Sequence, residues 1–282
     1  MLARVPASSA NLGPGFDTLA VALTRYIEVS VEAAESFSIT TSGCGAGLFD
    51  DERHLGARVA ARVLGHDRFA IHVDSEIPLS RGLGSSASLA LAAAAAAGSS
   101  ESLQVATEVD GHAENAAASL LGGLVVARVS SREGIVARSL ALDPSWRFVV
   151  VVPDQELATS DARRVLPSEV SFADAVGNVG AVSLLIAGLA NREDFTPGAM
   201  DDYLHQPYRM GLLPFADALL TRLRDAGAVG SCWSGAGSTM LGLCGPDDSS
   251  EVARAARDFL VEHSVAGVVW ELDADRRGLH LA

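Results

Sequence analysis

One segment decides most of what this chain can become: Pro78-Leu-Ser-Arg-Gly-Leu-Gly-Ser-Ser-Ala87, set between an apolar strand-like stretch at Phe69 to Val73 and an alanine-rich run that ends near Ala97. A strand that turns through glycine straight into an apolar helix leaves the first amides of that helix unpaired. The small side chains let the backbone approach phosphate oxygens, the helix dipole favours negative charge, and the serine hydroxyls add donors. The segment therefore reads as an anion cradle. It is not a Walker loop, because the lysine of G-x-x-x-x-G-K-[ST] is absent, nor a dinucleotide fingerprint, because G-x-G-x-x-G is not met. The competing account is a glycine-serine turn that only caps a helix.

Charge sharpens the requirement. The 282 residues carry 35 acidic against 21 basic side chains, a net charge of −14, so the basic footprint of a nucleic-acid binder is missing. The same balance disfavours an anionic ligand at long range, and a phosphate site here must rely on local amides and a few placed cations. A hydrophobic content of 49% suffices for one large domain or two modest ones. The apolar run Leu89 to Ala97 falls short of the roughly 20 residues that span a bilayer, and no basic segment followed by an apolar one opens the chain. The expectation is a cytoplasmic protein outside the membrane. Cys44, Cys232 and Cys244 form no C-x-x-C pair and read as reduced thiols.

Periodicity places strands at Leu2 to Val5, Tyr26 to Val31, Phe37 to Thr41 and Phe69 to Val73, with an amphipathic helix near Asp51 to Leu64. Helices follow at Ser85 to Ala97 and from Glu101 to Leu120, then strands at Leu124 to Val129 and Ile135 to Leu140. A second unit begins with the apolar strand Arg147 to Val152. It continues with helices near Ala173 to Ala190, Gly198 to Leu204 and Pro214 to Ala226, and strands at Ala228 to Trp233, Thr239 to Leu243 and Val265 to Leu272. The expected division is 1–145 and 146–282.

The glycine segment resembles the ATP loop of the GHMP kinases, the superfamily of galactokinase, homoserine kinase and mevalonate kinase. Two further segments are similar to its other motifs: Val5-Pro-Ala-Ser-Ser-Ala-Asn-Leu-Gly-Pro-Gly-Phe-Asp17, and Ser234-Gly-Ala-Gly-Ser-Thr239, where Ser238 stands in place of the common proline. Glu108 to Asn115, Ala162 to Pro167 and Leu204 to Arg209 are closer to the homoserine kinases. The resemblance implies an α+β fold in two lobes, an N-terminal ATP-binding lobe and a C-terminal α/β sandwich, with ATP and substrate between them. It implies phosphoryl transfer from ATP to L-homoserine, as in threonine biosynthesis, and it admits a homodimer.

Residue by residue, the resemblance assigns Pro78, Gly82, Leu83, Gly84, Ser85, Ser86 and Ala87, with Gly235 and Gly237, to the phosphates. Arg163 and Arg209 would clamp the substrate carboxylate and Asp17 would pair with its ammonium, while Asn11, His112 and Thr159 complete the polar shell. For magnesium, which a hard-oxygen site suits, Glu108 and the Ser86 hydroxyl are the candidates, with Asp110 behind Glu108. Asn115 is assigned to the phosphate or hydroxyl region. Glu114, standing where many relatives have aspartate in H-P-D-N, is a candidate base. Each of these residues also has a plain reading as a helix charge, cap or turn residue. Two rival functions remain: a kinase of the same superfamily for another small alcohol, which would not need Asp17, Arg163 and Arg209 together, and a non-catalytic ATP-binding regulator of the same fold.

Overall fold

Alternation of apolar and polar side chains in the N-terminal third resolves into sheet. In the computed structural model, which describes residues 1–282, β1 (Leu2–Ala10), β2 (Leu19–Ala33), β3 (Ser38–Gly43) and β4 (Phe69–Ser75) lie in one sheet, antiparallel except for the parallel pair β3 and β4. The sheet gains β5 (Leu124–Ser130) on β2 and β6 (Gly134–Leu140) on β5. Helices α1 (Leu55–Leu64), α2 (Ser85–Ala96), α3 (Ser102–Asp110) and α4 (Glu114–Leu121) pack with it. From Ala87 to Ala96 every residue of α2 is buried. A helix apolar all round must be enclosed, and α2 is enclosed by β1, β2, α1, α3 and α4.

A second, four-stranded sheet follows, built from β7 (Arg147–Pro153), β8 (Gly230–Trp233), β9 (Met240–Cys244) and β10 (Gly267–Leu272) in the order β10-β7-β9-β8. Between its strands run α5 (Thr159–Arg164), α6 (Phe172–Ala190), α7 (Gln206–Arg209), α8 (Ala216–Asp225) and α9 (Ser249–Glu262). The unbroken apolar run of β7 has a physical reason. Successive side chains point to opposite faces: Phe148, Val150 and Val152 belong to the large core of the first lobe, Val149 and Val151 to the core under α8 and α9.

The chain departs from the expected elements in several places. Gly111, at φ 81°, breaks the helix expected over Glu101 to Leu120 into α3 and α4. Gly198 to Leu204 holds only a 3-10 turn at Pro197–Met200, before the single turn of α7. Neither α5 nor α9 was anticipated. After β10 the chain returns to the first sheet, where Ala274 bridges Leu23 and β11 (His280–Leu281) pairs with β1, so a single cut at 145 does not separate the two sheets. The 19 residues of α6 are long and apolar enough to cross a membrane by length and composition. The helix is tied to the fold by buried Leu185 and Leu189 and by buried Asn178, whose side chain donates to Pro14 O and accepts from Tyr203 N.

Candidate active site

The phosphate loop is shaped by contacts that exclude side chains. Gly82 has φ 75°, and a Cβ there would sit 2.2 Å from Ser234 O; Gly84 has φ 67°, and its Cβ would sit 2.3 Å from Ser8 Oγ. Only glycine meets both demands. The first bond of α2 runs from Ser88 N–H to Gly84 O at 2.8 Å, so the amides of Ser85, Ser86 and Ala87 precede the helical ladder and remain available to an anion. The Ser86 side chain faces the cleft.

Three loops meet at this point. Asn11 leaves β1 with φ 73°, followed by Leu12 and Gly13, also at positive φ. The Asn11 amide closes its own loop by accepting from Asp17 N at 3.0 Å and fastens it to the second lobe by donating to Gly235 O at 2.8 Å. Its hydrogen bonds thus hold the loop shape. The Ser234–Thr239 turn docks from the second lobe: Ser234 Oγ lies 2.6 Å from Gly82 O and 2.8 Å from Ser9 Oγ, and Gly235 N donates to Ala10 O. Arg81 ties the phosphate loop to the end of β7 through Pro153 O at 2.9 Å and Asp154 O, and braces the loop itself through Leu79 O. Asn115, in the first turn of α4, has its carbonyl oxygen 2.9 Å from Ser8 Oγ, which leaves its NH2 to the cleft it lines.

The far wall of the cleft is charged. Arg163 on α5 pairs with Asp17 through two bonds of 2.7 and 3.2 Å. Arg209 on α7 is 1% exposed. It donates from Nε to Ala162 O and from Nη1 to Gly235 O and to Nδ1 of His205; Nη2 makes no bond within the chain, and no carboxylate touches the guanidinium. Burial and neighbouring Arg163 push Arg209 down to about 10, still cationic at neutral pH. His205 is fully buried and stacks on Phe16 with centroids 5.0 Å apart. Its Nε2 faces Gly13 O at 2.9 Å and Asp202 Oδ2 at 3.1 Å. The proton therefore sits on Nε2, and Nδ1 accepts from Arg209. Burial pushes this imidazole down to about 4, which keeps it neutral. Both guanidiniums lie over Phe16, Cζ 5.5 Å (Arg163) and 5.4 Å (Arg209) from the ring centroid.

Glu114, Asp110 and His112 form the remaining wall. Glu114 is 3% exposed; burial, with Asp17 and Asp110 nearby, raises its carboxyl to about 7, opposed by a backbone hydrogen bond and by His112. His112 is raised by Asp110, whose carboxylate lies 3.6 Å from Nδ1. Glu108 is elsewhere. It projects from the outer face of α3, bonded to Gln104 at 2.8 Å and ion-paired with Arg62, and it does not line the cleft. Glu108, expected as a metal ligand, thus points away from the cleft: the helix ends at Gly111 one turn later, and the residue that rounds the corner into the cleft is Asp110. No cluster of three metal-ligating side chains exists.

Of the expected site residues, the structure brings Asn11, Asp17, Gly82, Gly84, Ser85, Ser86, His112, Glu114, Asn115, Thr159, Arg163, Arg209 and Gly235 around one cavity of about 160 Å³. Pro78, Leu83, Ala87 and Gly237 do not line it. Leu83 and Ala87 side chains are in the core, with Ala87 offering only its amide, and Gly237 backs onto the Trp233 ring. Sequence reasoning missed Phe16, Ser80, Arg81 and His205. It also missed a second cavity of about 240 Å³ that shares Ser80, Ser85 and Ser86 with the first and is walled by Leu48, Phe49, His54, Leu55, Val73 and Leu79. Leu48 and Phe49, 60% and 51% exposed in a glycine-rich loop, were the signal available for it.

Comparison with known proteins identifies the family. Residues 53–123 match the model of the GHMP kinases N terminal domain and residues 185–262 that of the GHMP kinases C terminal. The chain is 35% identical over 290 residues to a homoserine kinase of Desulfitobacterium hafniense, covering 98% of this chain and 97% of that one. It is 39% identical over 273 residues to a homoserine kinase of Streptomyces avermitilis, covering 90% and 88%. The crystal structure of homoserine kinase from Cytophaga hutchinsonii superposes with a TM-score of 0.85 at 25% identity, over 100% of this chain and 97% of that one. A mevalonate kinase of L. major, at 14% identity and a TM-score of 0.72, shares the fold.

Proposed function

This chain belongs to the GHMP kinases, in the homoserine kinase family, and from that premise we propose that it transfers the γ-phosphoryl group of ATP to the hydroxyl of L-homoserine, giving ADP and O-phospho-L-homoserine. The observation that carries the proposal is the continuity of the cleft. A helix-terminus phosphate cradle and the set Asp17, Arg163 and Arg209 wall the same cavity. An amino acid with a primary hydroxyl uses both ends; an alcohol such as mevalonate, which has no ammonium, offers Asp17 no cation to meet. We assign the adenine ring to the apolar cavity behind Ser85 and Ser86.

Ser85, Ser86 and Ala87 amides hold the phosphates, and Arg209, aimed by His205, takes the substrate carboxylate. The Asn115 NH2 orients the phosphate or the attacking hydroxyl. In the reaction the homoserine oxygen bonds to the γ-phosphorus, the bond to the β–γ bridging oxygen breaks with its electron pair leaving on ADP, and the hydroxyl proton passes to Glu114. A carboxyl raised to about 7 is matched to that task at neutral pH, although a loose phosphoryl transition state asks mainly for alignment and charge neutralisation. The donors present suit a magnesium ion carried by ATP: Asp110 and the Ser86 hydroxyl would hold it, with phosphate oxygens completing the shell. When bound, the ion neutralises charge on the phosphates.

A cytoplasmic setting follows from the same reading. The test is purified protein with Mg-ATP and a panel of homoserine, serine, threonine and mevalonate, following ADP release and the phosphorylated product. Homoserine is expected to be preferred; preference for mevalonate, or no turnover, defeats the proposal.

A further inference from the structure

Asp17 and Arg163, the two residues that an amino-acid substrate needs at opposite ends, are bonded to each other. The pair is bidentate, at 2.7 and 3.2 Å, with both side chains only about one-third exposed at 39% and 35%. Asp17 cannot follow Arg163 far, because its φ is 54° and its N–H is held by Asn11 Oδ1. Arg163 is the less settled partner: in this orientation its Nε is buried without a hydrogen bond, a donor left unpaired at a cost comparable to a lost hydrogen bond. Beside the pair, Arg209 carries a positive charge with no carboxylate against it and shares the Phe16 ring with Arg163. Arg81, held by backbone carbonyls and Glu156, and Asp110, His112 and Glu114 are the other charged or titratable groups on the same cavity.

A carboxylate docked on Arg209 that takes Arg163 as its second partner leaves Asp17 without a cation. An ammonium that docks on Asp17 leaves Arg163 without an anion. Resting on the reading of an amino-acid substrate above, we propose that the Asp17–Arg163 pair is the specificity-determining element of the site, admitting a zwitterion by exchange of its two charges for the two halves of the pair and rejecting hydroxylated ligands that carry only one. A ligand of single charge that opens the pair leaves one partly exposed ion without its partner, which sets it at a disadvantage to a zwitterion.

Two half-substrates test this: 4-hydroxybutyrate, which lacks the ammonium, and 3-aminopropan-1-ol, which lacks the carboxylate. Binding to the full-length protein is measured by calorimetry. The wild type is expected to bind each at least about a hundredfold more weakly than homoserine. Asp17→Asn frees Arg163 and should tighten 4-hydroxybutyrate about tenfold while weakening homoserine; Arg163→Gln frees Asp17 and should do the same for 3-aminopropan-1-ol. Asp161→Asn removes a negative charge two residues from Arg163, where it pairs with Arg164, without releasing Arg163, so it should leave 4-hydroxybutyrate near its wild-type affinity. Equal gains in Asp17→Asn and Asp161→Asn would reduce the effect to general repulsion and overturn the proposal, as would no gain at all. Should a single variant fail to fold, the charge-free double variant Asp17→Asn/Arg163→Gln decides. Its preference for homoserine over both half-substrates should shrink to within about tenfold, and a retained hundredfold preference overturns the exchange. Absence of homoserine turnover by the wild type would defeat the assigned reaction, yet the half-substrate gains would remain readable.

Discussion

Glu114 sets a conflict between stability and chemistry within one side chain. Its carboxyl, ordinarily near 4.5, is raised to about 7 chiefly by burial, so the folded protein holds this proton more tightly than the unfolded chain. The stability this contributes is complete below the ordinary value and is lost as pH rises through 7. Glu114→Gln should therefore raise Tm relative to wild type at pH 8, by up to about 3 kcal/mol of stability, and change it little at pH 5. If Glu114 receives the hydroxyl proton, the same variant should lose about a hundredfold in kcat. A Tm gain equal at both pH values would contradict the buried carboxylate. His205→Phe offers a contrast: it keeps a ring on Phe16 and removes the acceptor that aims Arg209. It should raise the homoserine KM about tenfold with kcat nearly unchanged, and should barely affect homoserine amide, which has no carboxylate to misplace. A fall in kcat for both substrates would mean that His205 serves folding alone. On the metal side, Asp110→Asn should depress kcat more than Glu108→Gln, whose side chain is engaged by Arg62 on the outer face; the reverse ranking in the same ADP assay would return the role to Glu108. Sequence could not decide this last point, because two carboxylates two residues apart on a helix differ in direction by the position of the helix end, and Gly111 gave that only once its φ was known.

At the scale of the element, the loop into α2 was legible and the corner before α4 was not. Gly82, Gly84, Ser85 and Ser86 stand in a local strand-turn-helix pattern, and what they do follows from backbone chemistry within a few residues. His205 and Phe16, by contrast, meet across 189 positions, and no local period signals such a contact. The α9 helix was missed although Val252, Ala253, Ala256, Phe259 and Leu260 repeat at helical spacing; their polar neighbours obscured it. For the loop itself, Gly84→Ala forces a Cβ to 2.3 Å from Ser8 Oγ and 3.0 Å from Asn115 Oδ1 at φ 67°, whereas Gly98→Ala meets φ 89° with nothing within 4 Å. Both should lower Tm through the left-handed backbone, by roughly 1–2 kcal/mol for Gly98. Gly84→Ala alone should also raise the ATP KM and lower kcat, because it pushes on the hydroxyl that orients Asn115. Matching kinetic losses in the two variants would show that helix stability, and not loop shape, governs the site.

The molecule as a whole is joined more tightly than a boundary at 145 suggests. β7 opens the second sheet, yet one of its faces completes the core of the first lobe, and β11 brings the C-terminal residues back to β1. Two lobes that share a strand cannot unfold independently, since removing either core exposes half of β7. Heating should accordingly give one calorimetric transition whose enthalpy equals the van't Hoff value. Val150→Ala, facing the first core, and Val149→Ala, facing the second, should each lower that same transition. At about 0.8 kcal/mol per buried methylene, plus a cavity term, each costs about 2–3 kcal/mol, or roughly 4–12 °C in Tm for a chain of this size. Residues 1–145 expressed alone would lack β7 and β11 and should not show the cooperative transition. If instead the two valine variants split the melt into two transitions, each shifting only its own, the lobes are separate folding units and the cleft between them is held by Arg81, Ser234 and Asn11 rather than by a common core.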